Sequence, residues 1–226
     1  MIELKNLSKK YGSKKVLDNI NVSFDKGMVY GIVGKNGAGK TTLFRCIAGL
    51  EKYDGKIESS HNPLKNHLGF LPTEPYFFPR MTGMEYLRLL TNAREIKLKD
   101  IDKKNIFDLP LHQYAMTYST GMKKKLAITA VLLQENQIYL LDEPYNGVDI
   151  QSNIIITEII NRLKDLNKTI IISSHVFSLL KEICDKVYVL DNGQITKSVE
   201  KSEFNYLENE MKELIIGDKI NRMGLV

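Results

Sequence analysis

The chain has 226 residues, of which 43% are hydrophobic, 26% charged and 8% aromatic. That length suits one large domain or two small ones, because single hydrophobic cores stop growing at about 250–300 residues. The composition excludes collagenous, disordered and disulfide-scaffold proteins. The longest apolar runs, such as Ala127–Leu133, fall well short of the about 18 residues that a membrane-spanning helix needs.

The charge balance is mildly basic, with 32 Lys and Arg against 27 Asp and Glu and a net charge of +5. This excess is compatible with a nucleotide, a nucleic acid or an anionic membrane surface as partner, and equally with a solvated, lysine-coated surface. The two cysteines, Cys46 and Cys184, lack metal-ligand spacing and lie in apolar helical patterns. We therefore expect two buried thiols in a reducing cytosol.

The first predicted elements are strands. Apolar residues alternate with polar ones at Ile2 and Leu4, and again over residues 20–24, which predicts two half-buried strands. The continuous apolar run over residues 28–33 predicts a strand at the centre of a sheet. A helix is predicted over Lys40–Leu50, and the proline-rich residues 63–79 predict a loop that contains one short strand, Leu68–Leu71.

Helices are predicted around Gly83–Leu90 and over Met122–Leu133. Two short apolar strands follow, Ile138–Leu141 and Thr169–Ile172, of the kind found in parallel sheets. The helix between them has an apolar face made of Ile155, Ile156, Ile159, Ile160, Leu163 and Leu166. Residues 191–193, Asp-Asn-Gly, predict a hairpin turn. The order of elements predicts an α/β fold with antiparallel strands at one edge.

A phosphate-binding loop follows the predicted central strand. The segment GKNGAGKT, residues 34–41, fits the phosphate-loop pattern between a strand and a helix. Its glycines let backbone N–H groups converge on phosphate oxygens, and the helix N-terminus favours anions. Lys40 suits the β- and γ-phosphates, and the Thr41 hydroxyl suits Mg²⁺. The predicted ATP-binding residues of this loop are Gly34, Lys35, Asn36, Gly37, Ala38, Gly39, Lys40, Thr41 and Thr42.

Two later strands end in residues that suit the same site. The strand at 138–141 is followed by Asp142, which can hold Mg²⁺, and by Glu143, which can orient or deprotonate an attacking water. The strand at 169–172 is followed by two serines and His175, a candidate donor or orienter at the γ-phosphate. Open parallel sheets bind ligands outside the carboxyl ends of their strands, so we expect these residues to meet.

With these three strand ends, the sequence resembles the ATP-binding cassette ATPases over Ile2 to about Ile195. The diagnostic segment is YSTGM, Tyr118–Met122, followed by KKKLAITAVLL, which resembles the signature motif of that family. The resemblance implies a single cassette over 1–226, with a phosphate-loop NTPase core at 1–75 and 134–198. An inserted helical subdomain would occupy about 76–133, and no role is assigned to 199–226.

In this family two cassettes pair head to tail, so that the signature of one contacts the nucleotide held by the other. The resemblance thus implies a γ-phosphate contact in trans through Ser119, Thr120, Gly121 and Met122. Ser119 also suits a helix N-cap, and Gly121 allows close backbone approach. Asp149 matches an acid at the dimer interface. Tyr11, with Val16, matches the aromatic residue on which adenine stacks, a contact that reads no base edge.

Two positions depart from the usual family pattern. Thr73 stands where the family has a Gln that contacts Mg²⁺, and a Thr oxygen reaches less far. In the signature, Thr120 and Met122 replace Gly and Gln. This version resembles bacterial subunits that work with separate membrane proteins, mostly for export. The nearby aromatic segment Tyr76–Phe78 is either a partner-facing patch or buried beneath the helical subdomain.

The resemblance implies an ATPase that uses ATP and Mg²⁺ and powers transport. It would be cytoplasmic and peripheral on the inner face of the cell membrane, held there by permease subunits that select the cargo. The second cassette would be identical or different, and no nucleic acid partner is expected. One alternative is a soluble cassette acting on nucleic acid or ribosomes, which the positive charge suggests. The other is a binding-only regulatory cassette, which Thr73 and Met122 suggest.

Overall fold

The computed structural model, which describes residues 1–97 and 99–212, contains a six-stranded sheet and a three-stranded sheet. The strands are β1 Ile2–Tyr11, β2 Lys14–Phe24, β3 Val29–Val33, β4 Asp54–Ser59, β5 Leu68–Leu71, β6 Ile138–Asp142, β7 Thr169–Ser174, β8 Lys186–Asp191 and β9 Gln194–Glu200. The helices are α1 Lys40–Ile47, α2 Gly83–Asn92, α3 Thr120–Leu133, α4 Ile150–Asp165 and α5 Phe177–Ile183. Residues 204–212 are also helical.

The six-stranded sheet has the order β5-β6-β7-β3-β8-β9, and all its pairings are parallel except that of β8 with β9. Val33 at the end of β3 lies opposite Ser174 of β7, and Asp142 at the end of β6 lies opposite Ser173. The carboxyl ends of these three strands therefore form one edge of the sheet. The predicted α/β fold, the central position of the strand before the phosphate loop and the hairpin at residues 191–193 are confirmed.

The second sheet is antiparallel, with the order β2-β1-β4. Its first two strands were predicted, but β4 was not. Asp54–Ser59 has only one large apolar residue, Ile57, and it forms an edge that pairs with β1 from Ile2 opposite Ser59. An edge strand with exposed polar side chains lacks the apolar periodicity by which strands are recognised in a sequence.

The core has two parts, one on each face of the six-stranded sheet. Successive strand residues point to opposite faces, so β3 contributes to both parts. Tyr30 and Ile32 pack with Leu43 and Phe44 of α1 in one cluster. Val29 and Val33 belong to the other cluster, which also contains buried residues of α3, α4 and α5. The sheet is thereby covered on both faces, as parallel sheets require.

Several predicted details differ from the structure. Helix α1 ends at Ile47 and not at Leu50, because Gly49 adopts a left-handed φ of 73° that terminates it. Ile155 and Leu166, predicted on the apolar face of α4, are exposed. Cys184 is buried as expected but lies at the C-cap of α5, whereas Cys46 lies within α1.

The predicted division into a core and a helical subdomain remains a prediction. Of residues 199–226, the first two end β9, and Phe204 and Leu207 are buried against the core. The remainder from residue 213 lies outside the described residues. No described helix is long and apolar enough to span a membrane.

Candidate nucleotide site

A cavity of about 670 Å³ opens at the carboxyl edge of the six-stranded sheet, where loops follow β3 and β6. This volume lies within the range of about 300–1,000 Å³ that is usual for small-molecule sites. The cavity is lined by Tyr11, Lys14, Lys15, Val16, Asn36, Gly37, Gly39, Lys40, Thr41, Thr42, Thr73, Asp142, Glu143, Asn192 and Gly193.

The phosphate loop and the start of α1 form one wall of this cavity. Gly39, at the N-cap of α1, has a φ of 112°, a conformation that L side chains rarely adopt. The next residue, Lys40, is 7% exposed, and its Nζ donates to the carbonyl oxygens of Gly34 at 2.7 Å and Lys35 at 3.3 Å. Gly34, Lys35 and Ala38 belong to the loop but do not line the cavity.

Asp142 is fully buried, and three hydroxyl groups donate to its carboxylate. Thr41 Oγ1 donates to Oδ2 at 2.7 Å, and Thr73 Oγ1 donates to the same oxygen at 2.5 Å. Ser173 Oγ donates to Oδ1 at 2.5 Å. Thr73 therefore reaches the carboxylate despite its short side chain. Ser173 contacts the site although sequence analysis did not include it among the site residues.

These donors fit a bound Mg²⁺. A carboxylate and two hydroxyl groups, from Asp142, Thr41 and Thr73, lie within one hydrogen bond of each other, and hard oxygen ligands are those that Mg²⁺ prefers. The described residues hold no cluster of three or more His, Cys, Asp or Glu side chains that could cage a metal alone. Such a sparse set suits Mg²⁺, which is usually held by one or two carboxylates together with substrate phosphates.

Glu143 lies between Lys40 and His175. Its Oε1 is 3.9 Å from Lys40 Nζ, and its Oε2 is 2.9 Å from His175 Nδ1. The backbone of Glu143 has a left-handed φ of 50°, and its N–H donates to the carbonyl oxygen and hydroxyl of Ser173. The Glu143 side chain is largely buried, whereas that of His175 is 51% exposed and lies outside the cavity lining.

Tyr11 of β1 and Val16 of β2 also line the cavity. Tyr11 is 43% exposed, and Lys9 Nζ lies 4.6 Å from its ring centroid. Lys9 in turn forms an ion pair of 2.9 Å with Glu51. The Tyr11 ring therefore lines the cavity, is partly exposed and makes a cation–π contact with Lys9.

Four lining residues were not predicted: Lys14, Lys15, Asn192 and Gly193. The hairpin turn was predicted, but nothing local indicates that it packs against β2. A Cβ atom at Gly193 would lie 2.4 Å from the Val16 carbonyl oxygen, so only glycine allows this approach. The lysines follow the short turn between β1 and β2 and have no motif of their own.

The signature segment lies apart from this cavity: no described residue that lines it belongs to Tyr118–Met122. Ser119 is the N-cap of α3, as predicted, and its hydroxyl accepts from the Met122 N–H at 3.2 Å. Thr120 opens the helix. A Cβ at Gly121 would lie 2.7 Å from the Gly147 carbonyl oxygen, so the segment packs closely on the loop after Glu143.

Asp149 joins α3 to α4. It is the N-cap of α4, accepting from Ser152 N at 2.9 Å, and it forms an ion pair of 3.0 Å with Lys125 of α3. These contacts hold the pKa of the Asp149 carboxyl well below its usual range, chiefly through the backbone hydrogen bond from Ser152. Asp149 thus already has a structural role within the chain, and its predicted role at a dimer interface would be a second one.

The aromatic segment 76–78 is divided between the two predicted locations. Phe77 is 3% exposed and packs against Tyr86 of α2 at 4.6 Å between ring centroids. Tyr76 and Phe78 are exposed and contact each other edge to face at 5.3 Å. One residue anchors the segment while two face outward.

Lys124 of α3 is a buried cation beside the site that sequence analysis missed. It is 2% exposed, and its Nζ donates to the carbonyl oxygens of Thr73 at 2.6 Å and Pro72 at 3.2 Å, with that of Asp142 at 3.5 Å. Burial lowers its pKa to about 8, against the opposing effect of Asp142, Glu143 and Glu74. Between two other lysines, it had no signal in the sequence that set it apart.

Comparison with known proteins identifies the family. The sequence model of the ABC transporter family matches residues 17–146. The chain is 33% identical to the bacitracin transport ATP-binding protein BcrA of Enterococcus faecalis, over 96% of this chain and 75% of that protein. It is 30% identical to the lantibiotic transport ATP-binding protein SrtF of Streptococcus pyogenes, over 97% of this chain and 99% of that protein.

Solved structures share the fold. An ATP-binding subunit of an ABC transporter superposes with a TM-score of 0.79 at 25% identity, covering 100% of this chain and 94% of the other. A dimeric ATP-binding cassette in a post-hydrolysis state, bound to ADP and Pi, gives 0.80 at 20% identity, covering 89% of this chain and 99% of the other. The chain belongs to the ABC transporter family, as one of its ATP-binding and ATP-hydrolysing subunits.

Proposed function

We propose that the cavity holds ATP with its triphosphate on residues 34–41 and its base against Tyr11 and Val16. One observation carries this proposal: Lys40 and Thr41 at the start of α1 meet Asp142 and Glu143 at the end of β6, about 100 residues later in the chain, around one cavity. A cation, hydroxyl and carboxylate groups and a helix N-terminus are the groups that a nucleoside triphosphate and its metal require.

The residues have distinct roles in the proposed reaction. Lys40 offsets charge on the β- and γ-phosphates, and Glu143 takes the proton of the attacking water. His175, hydrogen-bonded to Glu143 Oε2, orients this carboxylate and offers its exposed ring to the γ-phosphate. Asp142, Thr41 and Thr73 would hold Mg²⁺, which would neutralise charge on the phosphates. Phosphoryl transfer depends mainly on such positioning and electrostatic stabilisation, so a small set of groups suffices.

The site is completed by a second cassette, identical or different. In this proposal Ser119, Thr120, Gly121 and Met122 of one cassette contact the γ-phosphate held by the other, and Asp149 lies at the interface between them. Support comes from the position of the signature segment outside its own cavity, with the N-terminus of a long helix exposed beside it. The dimeric state of a solved cassette of the same fold agrees with this arrangement.

The partner that this ATPase powers is a membrane permease, which places the chain on the inner face of the cell membrane. The relatives named for bacitracin and lantibiotic transport support this proposal, and with the YSTGM signature they favour export. Exposed Tyr76 and Phe78 are available to such a partner. We expect co-purification with a chain that carries several apolar stretches of about 20 residues. Tight, salt-sensitive binding to nucleic acid instead would favour the other class of cassette.

Replacement of the proposed base tests the assignment of Glu143. We expect Glu143→Gln to lower ATP hydrolysis about 10²- to 10⁴-fold, because the amide keeps the shape of the side chain but accepts no proton. Affinity for a fluorescent ATP analogue should stay unchanged. Phosphate release and nucleotide binding measured on the same samples separate the two effects.

Glu135→Gln is the matched control, since Glu135 shares the left-handed backbone of Glu143 with a φ of 52° but lies away from the cavity. It should hydrolyse ATP as the unmodified chain does. Unchanged hydrolysis by Glu143→Gln would reject the role of Glu143. Nucleotide binding without phosphate release by the unmodified chain would favour a binding-only cassette, although the contact of Thr73 with Asp142 supports a working metal site.

A further inference from the structure

The strongest unexplained feature near the site is the buried ammonium group of Lys124. This group projects from α3, whose N-cap is Ser119, and contacts the backbone of the metal-site residues Thr73 and Asp142. Its acceptors are backbone carbonyl oxygens, those of Thr73 at 2.6 Å, Pro72 at 3.2 Å and Asp142 at 3.5 Å. An ammonium group has three N–H donors, so these oxygens can use all of them.

The carbonyl groups belong to two of the three segments that supply the metal-site oxygens, the third being the start of α1 with Thr41. Pro72 and Thr73 follow directly after β5, and Asp142 ends β6. Thr73 and Asp142 are also joined by their side chains, because Thr73 Oγ1 donates a hydrogen bond of 2.5 Å to Asp142 Oδ2. Lys124 thus contacts the backbone of the site without lining the cavity, whereas Thr73 and Asp142 line the cavity itself.

The position of a threonine hydroxyl oxygen is fixed closely by the position of the residue's own backbone. Its oxygen is bonded directly to Cβ, and only a few χ1 rotamers are allowed, so the side chain cannot extend to correct a displaced main chain. If the loop after β5 moved away from β6, Thr73 Oγ1 would lose Asp142 Oδ2. A longer side chain could follow such a movement, whereas a threonine needs its loop to be held.

We propose that Lys124 is a positioning residue for the metal site: it holds the backbone of Thr73 against β6, so that the Thr73 hydroxyl stays on Asp142. This inference rests on the proposed ATP and Mg²⁺ site. Because Ser119 caps the helix that carries Lys124, the ammonium also links the signature segment to the metal site of its own chain. A shift of α3 at the partner's nucleotide would therefore be transmitted to the chain's own metal ligands.

The test measures how much Mg²⁺ strengthens nucleotide binding, in Glu143→Gln chains so that ATP stays intact. Affinity for a fluorescent ATP analogue is measured with Mg²⁺ and with EDTA for Lys124→Met, Lys124→Gln and the parent. Mutation of a residue that hydrogen-bonds to metal ligands typically lowers metal affinity about 10- to 100-fold. We therefore expect the Mg²⁺ enhancement of nucleotide binding to be about 10- to 100-fold smaller in Lys124→Met. Binding in EDTA should be unchanged. Lys124→Gln, which keeps two N–H donors, should lose less.

Lys103→Met is the matched control, because it removes the same charge from an exposed lysine elsewhere in the region 76–133. It should bind as the parent does. Circular dichroism and thermal unfolding verify each fold, and if Lys124→Met does not fold, Lys124→Gln carries the test.

Equal losses with Mg²⁺ and with EDTA would reduce Lys124 to a structural role and overturn the inference. Unchanged Mg²⁺ enhancement in folded Lys124 variants would overturn it as well, while leaving the proposed function intact. A parent that binds no nucleotide, or binds it without Mg²⁺ dependence, would overturn the inference together with the proposed site.

Discussion

At the scale of single residues, the site depends on a strained backbone position. Glu143 has a φ of 50°, and its N–H is held by Ser173 of the neighbouring strand. Non-glycine residues in left-handed conformations are destabilised by about 1–2 kcal/mol. Such strain is often found at functional sites, where surrounding contacts maintain it. Here the conformation turns the chain sharply after β6 and brings the Glu143 carboxylate between Lys40 and His175.

This strain predicts an inverted order of stability for two variants. Glycine is usually less stable than alanine in regular structure by about 0.5–1 kcal/mol, but at a left-handed position it relieves strain. We expect Glu143→Gly to exceed Glu143→Ala in unfolding free energy by about 0.5–1 kcal/mol. Urea denaturation of both variants measures the difference. Greater stability of Glu143→Ala would show that the backbone at this position is not strained.

The residues of the site differ in how far sequence alone could place them. Lys40, Thr41 and Asp142 follow from motifs in which neighbouring residues have fixed roles. The sequence indicates that Ser173 lies at a strand end but gives it no role, and it has no signal for Lys124. Their roles arise from contacts with Asp142 and Thr73, which lie in other segments of the chain. Thr73 was expected to reach less far. It still meets the carboxylate, because the loop after β5 lies close to β6.

At the scale of elements, α3 begins with a cap that also has a proposed role across the dimer. The Ser119 hydroxyl accepts a hydrogen bond from the Met122 N–H, and the Ser119 backbone lies at the exposed N-terminus of the helix. Capping requires only a side-chain oxygen, whereas contact with a γ-phosphate requires a neutral or positive group. These two requirements can be separated by substitution.

Ser119→Asp should keep the helix and lose the reaction. Aspartate caps helices as well as serine does, so the free energy of unfolding should be unchanged. Two like charges 4 Å apart repel by about 4 kcal/mol at an effective dielectric constant of about 20, so ATP hydrolysis should fall at least about 100-fold. The neutral cap Ser119→Asn is the control and should retain more activity. Full activity of Ser119→Asp would leave Ser119 with capping alone.

The elements were predicted best where they are apolar and buried. Strands β3, β6 and β7 and the N-cap of α3 agree with the sequence, since each has a strong local signal. Strand β4 was missed because it is a polar edge. Packing partners had no local signal either. The sequence therefore could not predict that the hairpin at 191–193 contacts Val16, nor that Tyr76 is exposed while Phe77 is buried.

At the scale of the whole molecule, one sheet is shared by two hydrophobic clusters, and each cluster holds one cysteine. Cys46 of α1 lies in the cluster on one face, and Cys184 lies in the cluster on the other. Burial raises the pKa of the Cys46 thiol to about 11 and raises the pKa of Cys184 as well. Because the thiolate is the reactive form, both groups should be inert in the folded chain.

We expect the two thiols to become reactive together. A sheet packed on both faces cannot lose one cluster without exposing the other, so Cys46 and Cys184 should react with a thiol reagent at the same urea midpoint. Mass spectrometry of labelled peptides measures each cysteine separately. Two distinct midpoints would show that the faces of the sheet unfold independently.

The order of strands in the main sheet also affects how the chain is made. Strand β3, which leads into the phosphate loop, lies between β7 and β8, and roughly 140 residues separate the end of β3 from the end of β7. During synthesis, at about 5–20 residues per second, β3 waits about 7–30 s for its first neighbour in that sheet. The phosphate loop is thus translated well before β7, and its cavity can form only after β7 has been made. Nucleotide binding by a nascent chain would therefore report that β3 has paired with β7.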